Sequence, residues 1–470
     1  MQNTSHILCF LGGRKGGRDK MDREKILDLL EKREYKELKE ELGNLYPVDI
    51  AEFLEDVDEK QMLLIFRLLG KEEAAETFTY MNSDMREVLI GALTDSELKE
   101  VMDEMYLDDT VDVIEEMPAN VVDRLLMMTD EDTRKQINSL LKYPEDSAGS
   151  VMNVEYIALR PDMTVADAIL KIRQVGINKE TIYTCYVTEK RKLIGVVDIK
   201  DLLTSSESRT MEEIMDTNIL YAHTTDDQET VASTIRKYGL VAIPIVDREL
   251  CMVGIVTVDD AMEVLKEEAT EDISIMAGVT PNEDTYFGTS AFQHAKNRSV
   301  WLLFLMLSAT FSGMVLEHFS PVIVAMPVLN TFVPMLTGTG GNCGSQSSTL
   351  IIRGLTVGEV QFRDIFKVIF KELRVALLVG LFLAVVNGIR VVLMYQGKTD
   401  NPVLLAFTLG LTLMCTVAMA KLIGCTLPLA AKKIGLDPAI MAAPLITTLV
   451  DTGTTLVYFT IATHIFHLMV

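Results

Sequence analysis

Cysteine is scarce and scattered in this chain: Cys9, Cys185, Cys251, Cys343, Cys415 and Cys425 form no CxxC pair. That spacing argues against a disulfide framework and a zinc site, and it fits a reducing compartment for the soluble portion. Positive charge is outnumbered too, but only in one portion. Before Ser299 there are 34 Lys/Arg against 61 Asp/Glu, so the formal charge of −24 belongs to that first portion. So acidic a surface argues against nucleic acid and favours cations, basic partners or simple solubility. From Ser299 onward the charge almost disappears, with ten Lys/Arg and seven Asp/Glu left. The N-terminus lacks a secretory signal, because HILCFLGG is too short an apolar run and has no good cleavage site. Residues 1–21 therefore read as a tail, with either Met1 or Met21 as the start.

What the second portion has is long apolar runs, at roughly 300–319, 322–352, 373–395, 402–431 and 439–468. Each matches the ~20 helical residues that cross a hydrocarbon core. Lys296 and Arg298 precede the first run, Arg353, Arg363, Lys367, Lys371 and Arg374 separate the second from the third, and Lys432 and Lys433 follow the fourth. The positive-inside rule puts the N-terminal portion in the cytoplasm and the C-terminus outside. The expectation is a multi-pass protein of the cytoplasmic (inner) membrane, in contact with lipid.

The acidic portion divides again. Residues 22–145 have apolar residues at helical spacing, and VDIAEFLEDVD (48–58), EEAAETFTYMN (72–82) and DDTVDVIEEMP (108–118) look alike. Short helical repeats of this kind predict an all-α superhelical domain. Over 146–272 the pattern becomes short β-rich runs between helices, and GVVDIKDLL (195–203) recurs as GIVTVDDAM (254–262). This duplication of about 60 residues resembles a tandem pair of CBS domains, an α+β fold whose members bind ions or adenine nucleotides or dimerise. A linking (plug) helix over 273–299 and a five-helix transmembrane domain over 300–470 complete the expected architecture.

Two constellations lie in the membrane portion. The run PMLTGTGGNCGSQSSTLIIRGL (334–355) interleaves Gly338, Gly340, Gly341 and Gly344 with Asn342, Ser345 and Gln346. It reads either as a weakened helix whose carbonyls meet a passing cation or as a close contact between helices. In AAPLITTLVDTGTTLVYF (442–459), Asp451 is the only charge, with Thr447 one turn earlier on the same face. A carboxylate at mid-membrane costs at least ~2.5 kcal/mol, so it should face a pore or a bonding partner such as Lys421. Lys421 could equally snorkel to the cytoplasmic surface.

The order of these segments, with GTGGNxG…QS…LIIR and APLxTTLxD, resembles the MgtE magnesium transporter family over residues 25–468. The resemblance implies a homodimer with a Mg²⁺ pore on its two-fold axis and no enzymatic activity. It implies that Asp451 holds hydrated Mg²⁺, with Thr447, Asn342 and the carbonyls near Gly338 and Gly341 along the path. Ser345 stands where the family usually has Asn, and Ala442 and Ala443 replace a second family Asn. Regulatory Mg²⁺ is implied at Glu76, Asp108, Asp112, Asp227, Glu229, Asp260, Glu263, Glu268, Glu271 and Asp437, with one family acid replaced by Gly239. Of these, Asp260, Glu263, Glu268 and Glu271 are expected along one helix. Without the resemblance, these acids read as solvated helix faces. The CBS pair would also offer a place for ATP, with Asp201 as a ribose partner unless it only caps a helix or meets solvent. The rival function is a CBS-regulated divalent-cation transporter coupled to Na⁺ or H⁺. A membrane protease would need two embedded aspartates, and only Asp451 qualifies. His464 and His467 read as interfacial histidines rather than metal ligands.

Overall fold

Helix-start chemistry recurs through the first portion of the chain. Asp58, Asn82 and Asp130 each accept backbone N–H bonds at the starts of the helices Glu59–Phe66, Ser83–Ala92 and Glu131–Leu140. The computed structural model describes residues 23–282, 286, 288–399, 401–441 and 443–468, so the expected tail 1–21 lies outside it. It divides into two units, Met1–Leu265 and Lys266–Val470. In the first, ten short helices run from Arg23 to Leu140. One set starts at Pro47, Lys71, Asp95 and Ala119, the other at Glu59, Ser83, Leu107 and Glu131, so each recurs every 24 residues. Pro47–Leu54 packs on Lys71–Thr79, and that on Asp95–Met102. The repeat is a helix pair. Segment 108–118, which resembles 48–58 and 72–82, belongs to the other helix of the pair, because both kinds carry acids first and apolar spacing after.

The same unit contains two three-stranded sheets built alike: β1 (Ala158–Leu159), β2 (Thr184–Glu189) and β3 (Lys192–Asp198), then β4 (Ala222–His223), β5 (Ala242–Val246) and β6 (Met252–Thr257). In each, the first strand runs parallel to the second and the second antiparallel to the third. Both central strands carry a register shift, after Val187 and after Ile245. The internal duplication is thus structural down to its irregularity.

Among the described residues, the second unit holds four helices long and apolar enough to cross a membrane: Ala291–His318, Phe362–Tyr395, Pro402–Lys433 and Pro438–Phe466. The run 322–352 is not one helix. It is a short helix Ser320–Ala325, a 3₁₀ segment Pro327–Phe332 and the helix Val333–Thr356, because Pro327 cannot continue the first. Val333–Thr356 packs on both Pro402–Lys433 and Ala443–Phe466. The glycine run does not interrupt this helix, which is continuous through all four glycines. No separate plug helix stands over 273–299 among the described residues. Helix Val258–Met276 ends in a turn at Gly278 (φ 72°), whose missing side chain makes room for Trp301, and Ala291–His318 absorbs the rest. Residues 283–285 and 287 lie outside the described residues.

Val333–Thr356 and Pro402–Lys433 meet glycine on glycine. A Cβ at Gly424 would stand 2.3 Å from the Gly344 carbonyl oxygen. Gly424→Ala must therefore push the two helices away from each other, at a cost of about 1–3 kcal/mol. The thermal unfolding midpoint of the purified protein in detergent should fall by several degrees, and an unchanged midpoint would show that the contact yields freely.

Candidate functional site

Asp451 lies within Ala443–Phe466, partly exposed, and its carboxylate has no hydrogen-bond or ion-pair partner among the described residues. Four of the threonines around it are hydrogen-bonded. Thr447 and Thr448 donate to the Pro444 carbonyl at 2.9 and 3.0 Å, and Thr455 donates to the Asp451 carbonyl at 2.8 Å. Thr452 Oγ1 lies 2.5 Å from Ser312 Oγ, which ties the first long helix to this one. The Asp451 carboxylate and the buried Thr454 hydroxyl are left without partners among the described residues.

The glycine helix presents two faces. Gly340 and Gly344 are buried, against Thr416, Val450 and Thr454 and against Ile446 and the Ala420 carbonyl. Gly341 packs on Thr447, so two of the expected path residues do meet. Gly338, Asn342, Gln346 and Thr349 are exposed at spacings that keep them on one side of the helix. The packing reading of the glycine run holds on one face, where small residues pack inward, and a polar stripe is exposed on the opposite one. The stripe lies on a regular helix, so the loose backbone expected for carbonyl contacts is absent, and Ser345 Oγ already donates to the Gly341 carbonyl at 2.9 Å. Ala442 lies outside the described residues. Lys421 is not the partner of Asp451. It pairs with Glu372 at 3.3 Å, a carboxylate that in the sequence looks like one more flanking charge.

In the first unit an acidic cluster assembles from distant segments. Helix Leu107–Glu116 begins at Tyr106, which makes no side-chain cap, and carries Asp108 and Asp109 in its first turn, where the helix dipole favours negative charge. Burial pushes Asp108 up to about 8, helped by the charges of Asp109, Asp260 and Glu180. Burial likewise raises Asp109 to about 6 and Glu180 to about 7, with Asp260 adding to each, and it raises Asp260 itself. The Asp112 carboxyl is pushed the same way by desolvation and by the charges of Asp109, Glu115 and Asp260, although the residue as a whole is exposed. Glu263 adds its charge at Asp109, and Glu76 adds its charge at Tyr80 and Tyr106. Asp108 Oδ1 and Glu155 Oε2 are buried without hydrogen-bond partners. Like charges gathered with orphaned oxygens fit a cation. Among the described residues no three such side chains converge into a direct coordination group.

Of the expected acids, this cluster unites Asp108, Asp112, Asp260 and Glu263, with Glu76 nearby. Asp227 is engaged otherwise, capping Gln228–Tyr238 through the Thr230 N–H at 2.9 Å, and Glu229 follows in that helix's first turn. Gly239 ends the same helix at φ 64°, a left-handed position that favours glycine over an acid. Asp260, Glu263, Glu268 and Glu271 do lie on one helix, Val258–Met276. In the second unit, burial raises Asp272, with the charges of Asp437 and Glu268 beside it and Lys432 opposing. Asp201 is exposed on the helix Ile199–Thr204, whose N-cap is Asp198 instead. Sequence reasoning misses Asp109, Glu155, Glu180 and Asp272. The doublet Asp108–Asp109 is a usable signal, whereas Glu155 and Glu180 sit in loops whose approach only the fold reveals.

These carboxyls titrate above their unfolded values, so the compact form holds more protons than the unfolded one. Their contribution is fully present near pH 4 and lost as pH rises through 6 to 8. A cytosolic fragment without Mg²⁺ should lose about 5 °C in melting temperature between pH 5 and 8, and Mg²⁺ should flatten the slope. A flat profile without Mg²⁺ would contradict the clustering.

One unit thus holds an acidic cluster and a duplicated α+β pair, and the other holds long apolar helices that carry an aspartate. Three family profiles match: the divalent cation transporter MgtE over 333–461, the MgtE intracellular N domain over 45–146, and the CBS domain over 148–208 and 211–267. The chain is 34% identical to the magnesium transporter MgtE of Thermus thermophilus, over 93% of its own length and 97% of that protein. It is 31% identical to the magnesium transporter MgtE of Bacillus subtilis, over 94% and 97%. The crystal structure of the cytosolic domain of the Mg²⁺ channel MgtE in complex with ATP superposes with a TM-score of 0.50 at 32% identity, covering 52% of this chain and 99% of that one. The chain belongs to the MgtE family. That family transports magnesium and is not a family of enzymes.

Proposed function

We propose that the chain forms a homodimer in the cytoplasmic membrane and conducts Mg²⁺ along the two-fold axis, under control of its acidic portion. Asp451 carries the reading, as a membrane-depth carboxylate with no partner among the described residues of its own protomer. The exposed stripe of Gly338, Asn342, Gln346 and Thr349 supports it, since a polar face at that depth needs water or a second copy beside it. Val333–Thr356, 24 residues long, joins the four apolar helices as a fifth span, and the flanking basic residues put the N-terminus inside and the C-terminus outside. Mg²⁺ sheds water reluctantly, so two facing Asp451 carboxylates would hold its hydration shell, with Thr447 beside them on the path.

Regulation follows from differential affinity. Asp108, Asp112, Asp260 and Glu263, with Glu76 near, repel one another when free of cations and favour the compact state once Mg²⁺ lies among them. Glu268, Glu271, Asp272 and Asp437 would extend the same response toward the membrane helices, and Asp227 and Glu229 toward the CBS pair. The working boundaries are 22–145, 146–272, 273–299 and 300–470. The CBS pair, with Asp201 exposed, is also the place where ATP would bind, in line with the ATP complex of the similar cytosolic domain. Flux into liposomes with Mg²⁺ set independently on each side tests the proposal. Inward Mg²⁺ flux should need no Na⁺ or H⁺ gradient and should fall when Mg²⁺ rises on the cytoplasmic face. Flux that requires a counter-ion gradient would sink the channel reading.

A further inference from the structure

Three membrane helices meet at a buried ion pair that the transport path does not use. Ser347 comes from Val333–Thr356, Glu372 from Ile365–Tyr395 and Lys421 from Pro402–Lys433. Ser347 Oγ donates to Glu372 Oε2 at 2.6 Å, and Lys421 Nζ reaches Ser347 Oγ at 3.1 Å and Glu372 Oε2 at 3.3 Å. The residues are 0%, 8% and 5% exposed, so neither charge is open to solvent or lipid. A buried pair of this kind is a poor source of stability, because well-packed apolar residues of similar volume do as well or better. Its use is specificity, where the neighbouring packing cannot encode a unique arrangement.

The neighbouring packing is of that sort. Beside the pair, Gly344 meets Gly424, and Gly340 and Gly344 form the inner face of the same helix that carries Ser347. Glycines permit close approach but offer no side chain to fix the rotation of one helix against the next. The opposite face carries the exposed stripe of Gly338, Asn342 and Gln346, and a slip of one residue would turn it by about 100°.

We propose that Glu372 and Lys421, acting through Ser347, are positioning residues of the cation path: they lock the rotation of the glycine helix so that its polar stripe faces the path. This rests on the transport reading above. The decisive variant is the neutral pair Glu372→Gln/Lys421→Met in the full-length protein, compared with the two single variants and the reversed pair Glu372→Lys/Lys421→Glu. The neutral pair should melt within a few degrees of the wild type, yet its maximal Mg²⁺ flux in liposomes should fall about tenfold at an unchanged half-saturating concentration. The reversed pair should recover flux to within about threefold of wild type, and each single variant should lose both flux and stability. Wild-type flux in a stable neutral pair overturns the proposal, and so does a neutral pair whose flux falls only in step with its melting temperature. A wild type that conducts no Mg²⁺ sinks the transport reading itself, whereas a conducting wild type with an equally active neutral pair sinks only the clamp.

Discussion

Asp451→Ala should abolish Mg²⁺ flux, or cut it by at least about tenfold, while the protein still inserts and assembles as the wild type does. The carboxylate has no hydrogen-bond or ion-pair partner among the described residues, so removing it breaks no polar contact within the protomer. Stability should therefore hold or rise slightly, which separates this outcome from misfolding. A charge of −1 acting on a +2 ion about 5 Å away, across a water layer, is worth about 2–7 kcal/mol for effective dielectric constants of about 80 to 20. Every ~1.4 kcal/mol of lost cation stabilisation is a factor of ten in occupancy. Asp451→Asn keeps the shape and should behave like the alanine variant, whereas Asp451→Glu keeps the charge and should retain partial flux. Thr447→Ala should do much less, because its hydroxyl is already bonded to the Pro444 carbonyl. Undiminished flux in both the alanine and asparagine variants would remove Asp451 from the path.

How much of the fold and site is legible in the sequence depends on the range of each signal. Apolar runs, strand–helix alternation and the duplicated GVVDIKD/GIVTVDD segments are local, and they yield the helical domain, the paired α+β units and the long membrane helices. The 24-residue period is only half visible, because acids begin both helices of each pair and so 108–118 looks like 48–58. The break at Pro327 is hidden by the hydrophobicity of its surroundings, which marks the run as apolar without saying where it bends. Lys421 and Glu372 are 49 residues apart, and nothing local ties them. Lys421 stands out because charge is rare at that depth, but rarity alone points to Asp451 on the wrong helix as its partner. Asp227, an ion ligand by the family resemblance, also caps its own helix, a local role that its place before Gln228–Tyr238 makes visible.

Neutralising Asp108, Asp112 and Asp260 together as asparagines should leave a protein that conducts at cytoplasmic Mg²⁺ levels that close the wild type. Two opposing effects follow from the substitution. It relieves repulsion among carboxyls that desolvation and mutual charge raise to about 8 at Asp108 and about 7 at Asp112, and this favours compaction without any ion. It also removes the negative charge that gives the compact state its extra affinity for Mg²⁺. At physiological ionic strength the Debye length is ~8 Å, so repulsion between the partly solvated acids is screened, while a divalent ion held among them is not. Loss of bridging should dominate once Mg²⁺ is high. Asparagine at 260 keeps an acceptor for the Thr257 N–H and hydroxyl, now 3.2 and 2.6 Å from the carboxylate, so the start of Val258–Met276 should survive. A soluble fragment of residues 22–272 gives the cleaner reading. In the wild type, Mg²⁺ should make it compact and protease-resistant with a steep concentration dependence, and in the triple variant that response should weaken by about tenfold or more in Mg²⁺. At low Mg²⁺ the order should invert, the variant being the more compact of the two because its repulsion is gone. A wild-type fragment whose protection ignores Mg²⁺ would reduce the acidic portion to a solubilising surface, and a variant that responds like the wild type would move the sensing to Glu268, Glu271, Asp272 and Asp437.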